Sequence, residues 1–313
     1  MTRISMETRT STALIAPLPV DLSLFEKTAV SVQPLTPGCE REVIQFLSQR
    51  PLHTVAMLSL IRDNGLVSPL NRGTFYGCRD VNGYLEGVAL IGHATLLETV
   101  SSRALRALAE IARDCPYTHM IMGEQDRIEE LWSYCSNAGQ QMRLACTESL
   151  LEFSYPVEVH ATAPKLRLAT PEELDFVIPV QAEMAFEESG VDPRKVDPEG
   201  FRRRCLRRIE QGRTWVVIED GKLMFKADII SETPDVIYLE GVWLSEEKRS
   251  SGYGASCMSE LSRSLLKRAK SVCLLVNYKN TKAQAFYRRC GYQFRATYLT
   301  IFLPRKEPIT ESH

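Results

Sequence analysis

With 313 residues, 44% hydrophobic and 25% charged, the chain is long enough for two domains with separate cores. A formal net charge of -1 gives no overall attraction to nucleic acid or to an anionic membrane, and no apolar run approaches bilayer length, residues 13–20 being broken by Pro17 and Pro19. Nine scattered cysteines without a Cys-x-x-Cys pair favour reduced thiols in a cytoplasmic protein, and five histidines at no metal-ligand spacing argue against a metal site. In chain order, residues 1–29, rich in Thr, Ser, Ala and Pro, read as a disordered leader. A first domain, 30–160, then opens on a short strand, helices over 41–48 and 52–64, and a hairpin of strands 74–79 and 85–91 turning on Asn82-Gly83. A strand over 94–100, a helix over 103–113, a strand over 119–122, a helix over 127–137 and a closing pair of strands complete it. Residues 161–164 read as a linker.

The second domain, 164–305, takes the same order: strand 165–168, helices around 172–186 and 198–211, hairpin 214–230 turning at Asp220-Gly221, strand 236–244, helix, strand, helix, strands to 303. Residues 306–313 are a tail. Recurrence of the order points either to a duplicated unit or to the strand-helix alternation that any two α+β domains share.

One stretch of the second half carries chemistry. The strand ending at Leu244 runs into Arg249-x-x-Gly252-x-Gly254, where glycines suit a strand-to-helix turn and the peptide N–H groups of Gly252, Tyr253, Gly254 and Ala255 can converge on an anion at the positive end of a helix. A lone glycine pair is also compatible with a plain helix start. Downstream, a strand from Val272 leads into Asn280-x-x-Ala283-x-x-x-Tyr287-x-x-x-Gly291, a short helix closed by glycine. In the first half the corresponding helix begins Ser101-Ser102-Arg103, without glycine, so side chains would obstruct a phosphate there.

With these two motifs in order, the chain, from about 164 to 304, resembles the GNAT superfamily of acetyl-CoA-dependent N-acetyltransferases. The resemblance implies an α+β fold of two GNAT-like domains, each a central mixed, mostly antiparallel sheet flanked by helices. The first would be degenerate, a scaffold or substrate wall, and the second catalytic with acetyl-CoA as co-substrate. It assigns the pyrophosphate to Arg249, Ser250, Ser251, Gly252, Tyr253, Gly254 and Ala255, with Ser250 and Ser251 departing from the family's more basic and glycine-rich form. Pairing with the pantetheine arm maps onto the backbone of Val242, Trp243 and Leu244, Trp243 reading equally well as core. Asn280 and Ala283 fall on the cofactor side, Asn280 equally as a helix cap. Tyr287 is the acid for the departing thiolate, its ordinary pKa of about 10 being near that of a thiol; on spacing alone it reads as core.

Other candidates come from the residues themselves. Glu240, a carboxylate inside an apolar strand, is either a general base working through water or a hydrogen-bonded strand residue, and Tyr238 shares its face. The arginine-rich run 201–210, apolar at Phe201, Cys205 and Ile209, reads as a solvated helix face, with a role in holding a cofactor phosphate as the alternative. Glu183, Glu187 and Glu188 read as an exposed face or as an acidic mouth for a cationic amine. The expected reaction is acetyl transfer by direct attack from a primary amine of a small molecule or peptide. A non-catalytic acetyl-CoA-binding sensor or scaffold, and a transferase of a larger acyl or aminoacyl group, are the rivals. No nucleic-acid or membrane partner is expected, and a homodimer is left open.

Overall fold

The computed structural model describes residues 29–156 and 165–304. The expected leader up to residue 28, the linker and the tail lie outside the described residues. The first half consists of β1 (Val30–Pro34), α1 (Glu40–Leu47), α2 (Pro51–Asn64), β2 (Gly73–Asp80), β3 (Leu85–Gly92), β4 (Ala94–Thr99), α3 (Ser102–Asp114), β5 (Met120–Glu124), α4 (Gln125–Ser136) and β6 (Leu144–Phe153). The second consists of β7 (Arg167–Leu168), α5 (Leu174–Ser189), α6 (Pro193–Val196), α7 (Pro198–Glu210), β8 (Thr214–Glu219), β9 (Lys222–Glu232), β10 (Val236–Leu244), α8 (Tyr253–Leu265), β11 (Ser271–Asn277), α9 (Thr281–Arg289) and β12 (Gln293–Phe302). Hairpin and helix boundaries lie within a few residues of those the sequence suggests, because their punctuation is local. At the β8–β9 turn Asp220 and Gly221 both adopt positive φ, 48° and 71°, the twist that a two-residue hairpin needs.

The twelve strands of the described residues form one sheet in the order β1-β2-β3-β4-β5-β12-β6-β11-β10-β9-β8-β7. Renaming β1–β6 as β7–β12 and the reverse leaves this order unchanged when it is read from the other end, so the two halves share one topology. Neighbours are antiparallel except β4 with β5 and β10 with β11. The two halves meet by exchange of their last strands. β6, from the first half, pairs with β11 of the second, while β12, from the second, pairs with β5 of the first. β6 and β12 then pair with each other in the middle. The expected closing pair of strands in the first half is therefore one strand, and the strands expected up to residue 303 are also one. Each finds its partners more than a hundred residues away, which local pattern cannot reveal.

Helices cover both faces of the second half. Cys257, Met258, Leu261 and Leu265 of α8 are buried at helical spacing against Leu239, Val272 and Leu274. On the opposite face, Val177 and Ala182 of α5 and Phe201, Cys205 and Ile209 of α7 pack with Val216 and Leu223. Between the halves, Val55, Leu150, Val236, Tyr238, Cys273 and Tyr298 form a shared cluster, so the exchange is cemented by apolar burial as well as by ladder hydrogen bonds. Among the described residues no helix is long and apolar enough to cross a membrane, and no His/Cys/Asp/Glu group could hold a metal ion.

Candidate functional site

β10 leaves its parallel neighbour halfway along its length. Its ladder with β11 runs from Val236 opposite Ser271 to Leu239 opposite Leu274 and stops. On its other side, Glu240 faces Asp228 and Trp243 faces Lys226, so Gly241 and Val242 together oppose the single residue Ala227 in a β-bulge. Gly241 sits at φ 59°, and a Cβ there would lie 2.8 Å from Lys226 Nζ. Only glycine fits. Beneath the bulge the fully buried Lys226 donates to Asp228 Oδ2 at 2.5 Å, Gln181 Oε1 at 2.6 Å and the Gly241 carbonyl at 3.3 Å. Arg208 donates to the same carboxylate oxygen at 2.9 Å and Thr214 to the other at 2.8 Å. Burial opposes the charge of Asp228, but Lys226 and Arg208 outweigh it and hold its carboxyl below the usual range. Arg208 thus points into the protein, which corrects the reading of 201–210 as wholly solvated. Arg202 and Arg204 of the same helix do form exposed pairs, with Asp175 and Asp197.

Where β10 and β11 part, a cavity of about 650 Å³ opens between 239–242 and 274–277. Glu240 reaches it, and Tyr238 donates its hydroxyl proton to Glu240 Oε1 at 2.8 Å. Tyr287, Asn280 and Ala283 line the same cavity from α9, and Val242 from the bulge. Asn280 Oδ1 accepts from Ala283 N at 3.0 Å, so it caps its helix as well as facing the cavity. Burial raises the Tyr287 phenol far above its ordinary value, and the ring packs edge-on to Phe286 and Tyr292.

Two acidic groups expected at the mouth, Glu187 and Glu188, line the cavity from α5; Glu183 does not. Sequence reading missed Glu148 altogether. It arrives on the exchanged strand β6, with Thr300 of β12 donating to its Oε2 at 2.7 Å. Burial first, then its carboxylate neighbours, pushes Glu188 up to about 7, while Glu148 and Glu240 are raised mainly by burial. In Glu148's own strand nothing distinguishes an inward carboxylate from an outward one, because its environment is supplied by β12 and β11.

The glycine turn lies beyond the C-terminal end of β10. Gly252 precedes α8 at φ 81° with no side-chain cap, and a Cβ there would meet nothing within 4 Å. Gly254 has another reason to be glycine: a Cβ would lie 3.0 Å from Leu244 Cδ2, so it admits the close approach of α8 to β10 and α9. Ser250 has positive φ, 60°, and the Ser251 hydroxyl donates to the Lys248 carbonyl at 2.8 Å. Neither neighbouring cation is without a partner. Lys248 pairs with Glu219 at 2.7 Å over the Tyr253 ring, and Arg249 pairs with Glu246 at 3.2 Å. Val242 and Leu244 pack on the α8 side, whereas the Trp243 side chain belongs to the α5–α7 cluster on the other face.

The first half repeats this parting of strands and fills it. β4 pairs with β5 only at Ala94–Met120 and Thr95–Ile121. Beyond that, Arg50 reaches Glu98 at 3.1 Å and Glu124 at 2.7 Å, and Arg127 reaches the same carboxylates at 3.2 and 3.4 Å. His53 Nδ1 lies 3.0 Å from the Tyr298 hydroxyl. The space left is about 30 Å³. At the start of α3, Ser101 Oγ accepts from Ala104 N at 3.2 Å, so this helix terminus is capped by its own chain.

Comparison with known proteins matches residues 181–292 to the acetyltransferase (GNAT) family model. A GNAT-family acetyltransferase from Colwellia psychrerythraea shares the fold at 10% identity and TM-score 0.56, with 88% of this chain and 100% of that one covered. A Drosophila protein aligns at 11% identity and TM-score 0.63, over 88% of this chain and 99% of its own. A tandem GNAT protein from the clavulanic acid biosynthesis pathway aligns at 13% identity and TM-score 0.53, over 89% and 100%. No curated protein matched the sequence.

Proposed function

We propose that the protein transfers an acetyl group from acetyl-CoA to a primary amine of a small molecule or peptide, in the cleft between β10 and β11, a reading supported by the match of residues 181–292 to the acetyltransferase (GNAT) family model. The observation that carries this reading is the parting of these strands over a cavity that holds Glu240 and Tyr287 together. The residues fit the co-substrate: Gly252 leaves open space before the uncapped start of α8, where N–H groups and helix dipole favour a pyrophosphate. Beyond Leu239 the ladder of β10 with β11 has ended, so the edge of β10 over Val242, Trp243 and Leu244 is left to pair with an extended pantetheine arm. Acetyl-CoA supplies the activated thioester.

An amine is largely protonated at neutral pH, and only its free form attacks. Glu240 takes that proton, directly or through a water, and its raised pKa brings it nearer to the ideal range for a base. Tyr287, whose phenol is raised by burial and so stays protonated, donates its proton to the departing sulfur and takes back the second proton that the nitrogen sheds as the amide forms. The rival reading, a non-catalytic acetyl-CoA-binding protein, draws on the engagement of Lys248 and Arg249 with carboxylates, which reduces the charge available to phosphate. Free-thiol release from acetyl-CoA with pooled amines separates the two: amine-dependent release supports transfer, and saturable binding without release supports the rival. Replacing the acetyl donor by longer acyl-CoA thioesters tests the larger-group alternative. Tyr287→Phe should lower turnover by about 10²–10³-fold with binding of acetyl-CoA retained; full turnover would return Tyr287 to a packing role.

A further inference from the structure

The strand that carries Glu240 also carries its partner. Tyr238 and Glu240 share a face of β10 by the two-residue period. Among the described residues, the Tyr238 hydroxyl, 2.8 Å from Oε1, is the side-chain donor that reaches this carboxylate. The neighbouring cations do not compete for it, since Arg208 of α7 and Lys226 of β9 are both committed to Asp228. The Tyr238 ring is only 6% exposed and sits in a cluster with Val55, Leu150 and Tyr298. These three lie outside the matched segment 181–292, Val55 on α2 of the first half and the other two on the exchanged strands. The ring is therefore held in part by the first half, while its hydroxyl serves the second half's cavity.

We propose that Tyr238 is a positioning residue, whose hydroxyl orients the Glu240 carboxylate and holds it in the ionised form that accepts the amine's proton. This rests on the reading of the cleft as an acetyl-transfer site. Oε1 is engaged by the Tyr238 bond, so Oε2 is the atom that takes the proton. A base gains from a raised pKa, but one raised past the working pH is already protonated and takes nothing. Enclosure in the cleft raises the Glu240 carboxyl, Asp228 adds to the rise, and Glu148 of β6 and Glu188 of α5 face it across the cavity. Against these, the Tyr238 bond is the largest influence favouring the charged form, followed by Arg208 and Lys226. The hydroxyl also does what the two cations do not, since a hydrogen bond at 2.8 Å fixes the direction of the carboxylate as well as its charge. Burial pushes the Tyr238 phenol well above its ordinary value, so it remains a donor wherever Glu240 titrates.

The test follows the ionisation of Glu240 directly, by nuclear magnetic resonance of the full-length protein with carbon-13 at the glutamate carboxyls. The Glu240 signal is identified by its absence from Glu240→Gln. In Tyr238→Phe, which keeps the ring and removes the hydroxyl, the midpoint of this signal should rise by about 0.5–1 pH unit, less than a fully enclosed hydrogen bond to a charge would give because the cavity is open to water. In the transfer assay the acid limb of kcat/KM should rise with it, so that activity below the limb falls about three- to tenfold and recovers at high pH. In the Glu240→Gln background, Tyr238→Phe should add nothing to the loss. Replacing Tyr238 by 3-fluorotyrosine, a more acidic phenol of nearly the same shape, strengthens the donor and should lower the same midpoint, which keeps the test intact if the Phe variant folds poorly. A Glu240 midpoint unmoved by either replacement, or a loss of activity equal at every pH and additive with Glu240→Gln, would overturn the assignment and return Tyr238 to the core. Displaced midpoints in a protein that releases no thiol with any amine would leave the hold of Tyr238 on Glu240 standing and sink the transferase reading instead.

Discussion

Two places in the sheet have the same construction and opposite contents. Between β10 and β11 the strands part over about 650 Å³; between β4 and β5 they part over about 30 Å³. The parting belongs to the topology and occurs in both halves, so topology alone does not make a binding cleft. What differs is how charge is disposed. In the first half Arg50 and Arg127 meet Glu98 and Glu124 inside the gap, and Ser101 caps the adjoining helix. In the second half the cations Lys226 and Arg208 are withdrawn beneath the bulge to Asp228, and among the described residues the gap is lined by Glu148, Glu187, Glu188 and Glu240 against one cation, Lys279. One cleft neutralises itself with its own side chains; the other keeps a charge for something else to answer.

The largest expected effect tests whether the withdrawn ion cluster holds the open cleft. Asp228→Ala leaves Lys226, which has no exposure, without its carboxylate, and should cost about 3–5 kcal/mol of stability. Urea unfolding measures it, and a loss below about 1 kcal/mol would mean that the cluster relaxes rather than supports the bulge. Next in size is the glycine turn. Gly252→Val puts a β-branched side chain at φ 81°, strained there and standing where the phosphate is proposed to come. Acetyl-CoA affinity should fall about a hundredfold, roughly 3 kcal/mol, by titration calorimetry, and unchanged affinity in the folded variant would remove the turn from the site.

These two sites also mark where the sequence was legible. Gly252 is legible only in company: a glycine pair before a helix is also compatible with a plain helix start, and the downstream Asn280, Ala283, Tyr287 and Gly291 pattern is what gives it a reading. Gly241 carries a signal that went unread in the sequence: a glycine inside a strand marks a bulge or a close approach, and here it marks both. Glu240 stood out as a charge in an apolar strand. By contrast, Glu148 looks like any alternate residue of β6, Arg208 like any cation on a charged helix, and the plug of Arg50 and Glu98 joins residues 48 apart. Their roles come from pairing across the exchange and from contacts between elements, and neither leaves a mark at the position itself. The fold was readable element by element; its closure by swapped strands was not, since β6 and β12 each have ordinary strand patterns and the partner is chosen by the whole sheet.

A smaller effect separates the plug from the working cleft. Arg50→Met removes one of two cations from Glu98, which is only 5% exposed, while Arg50 itself is about one-third exposed. The remaining pair with Arg127 and the solvent access limit the loss to about 1–2 kcal/mol. Turnover at the second cleft should be unchanged, because no lining residue of that cavity is touched. A fall in turnover larger than the fall in folded fraction would show that the two clefts communicate through β5 and β12.

The smallest effect has the opposite sign. In the folded protein Glu188 is pushed up to about 7 from an ordinary value of 4.5, so between these limits the native state binds more protons than the unfolded chain. Stability contributed by this group is then greatest below about pH 4.5 and declines as pH rises towards about 7, because ionising it in the cleft costs more than ionising it in water. Glu188→Gln removes the ionisation while keeping the shape. The residue is exposed, so solvent screening discounts most of the shift, and the variant should be more stable than wild type by no more than about 1 kcal/mol at pH 8. At pH 4, where Glu188 is protonated in both states, the two proteins should unfold together. Urea midpoints at the two pH values decide it. A variant no more stable at pH 8 would mean that the acidic cleft carries no unanswered repulsion, and the contrast with the self-neutralised first half would then rest on volume alone.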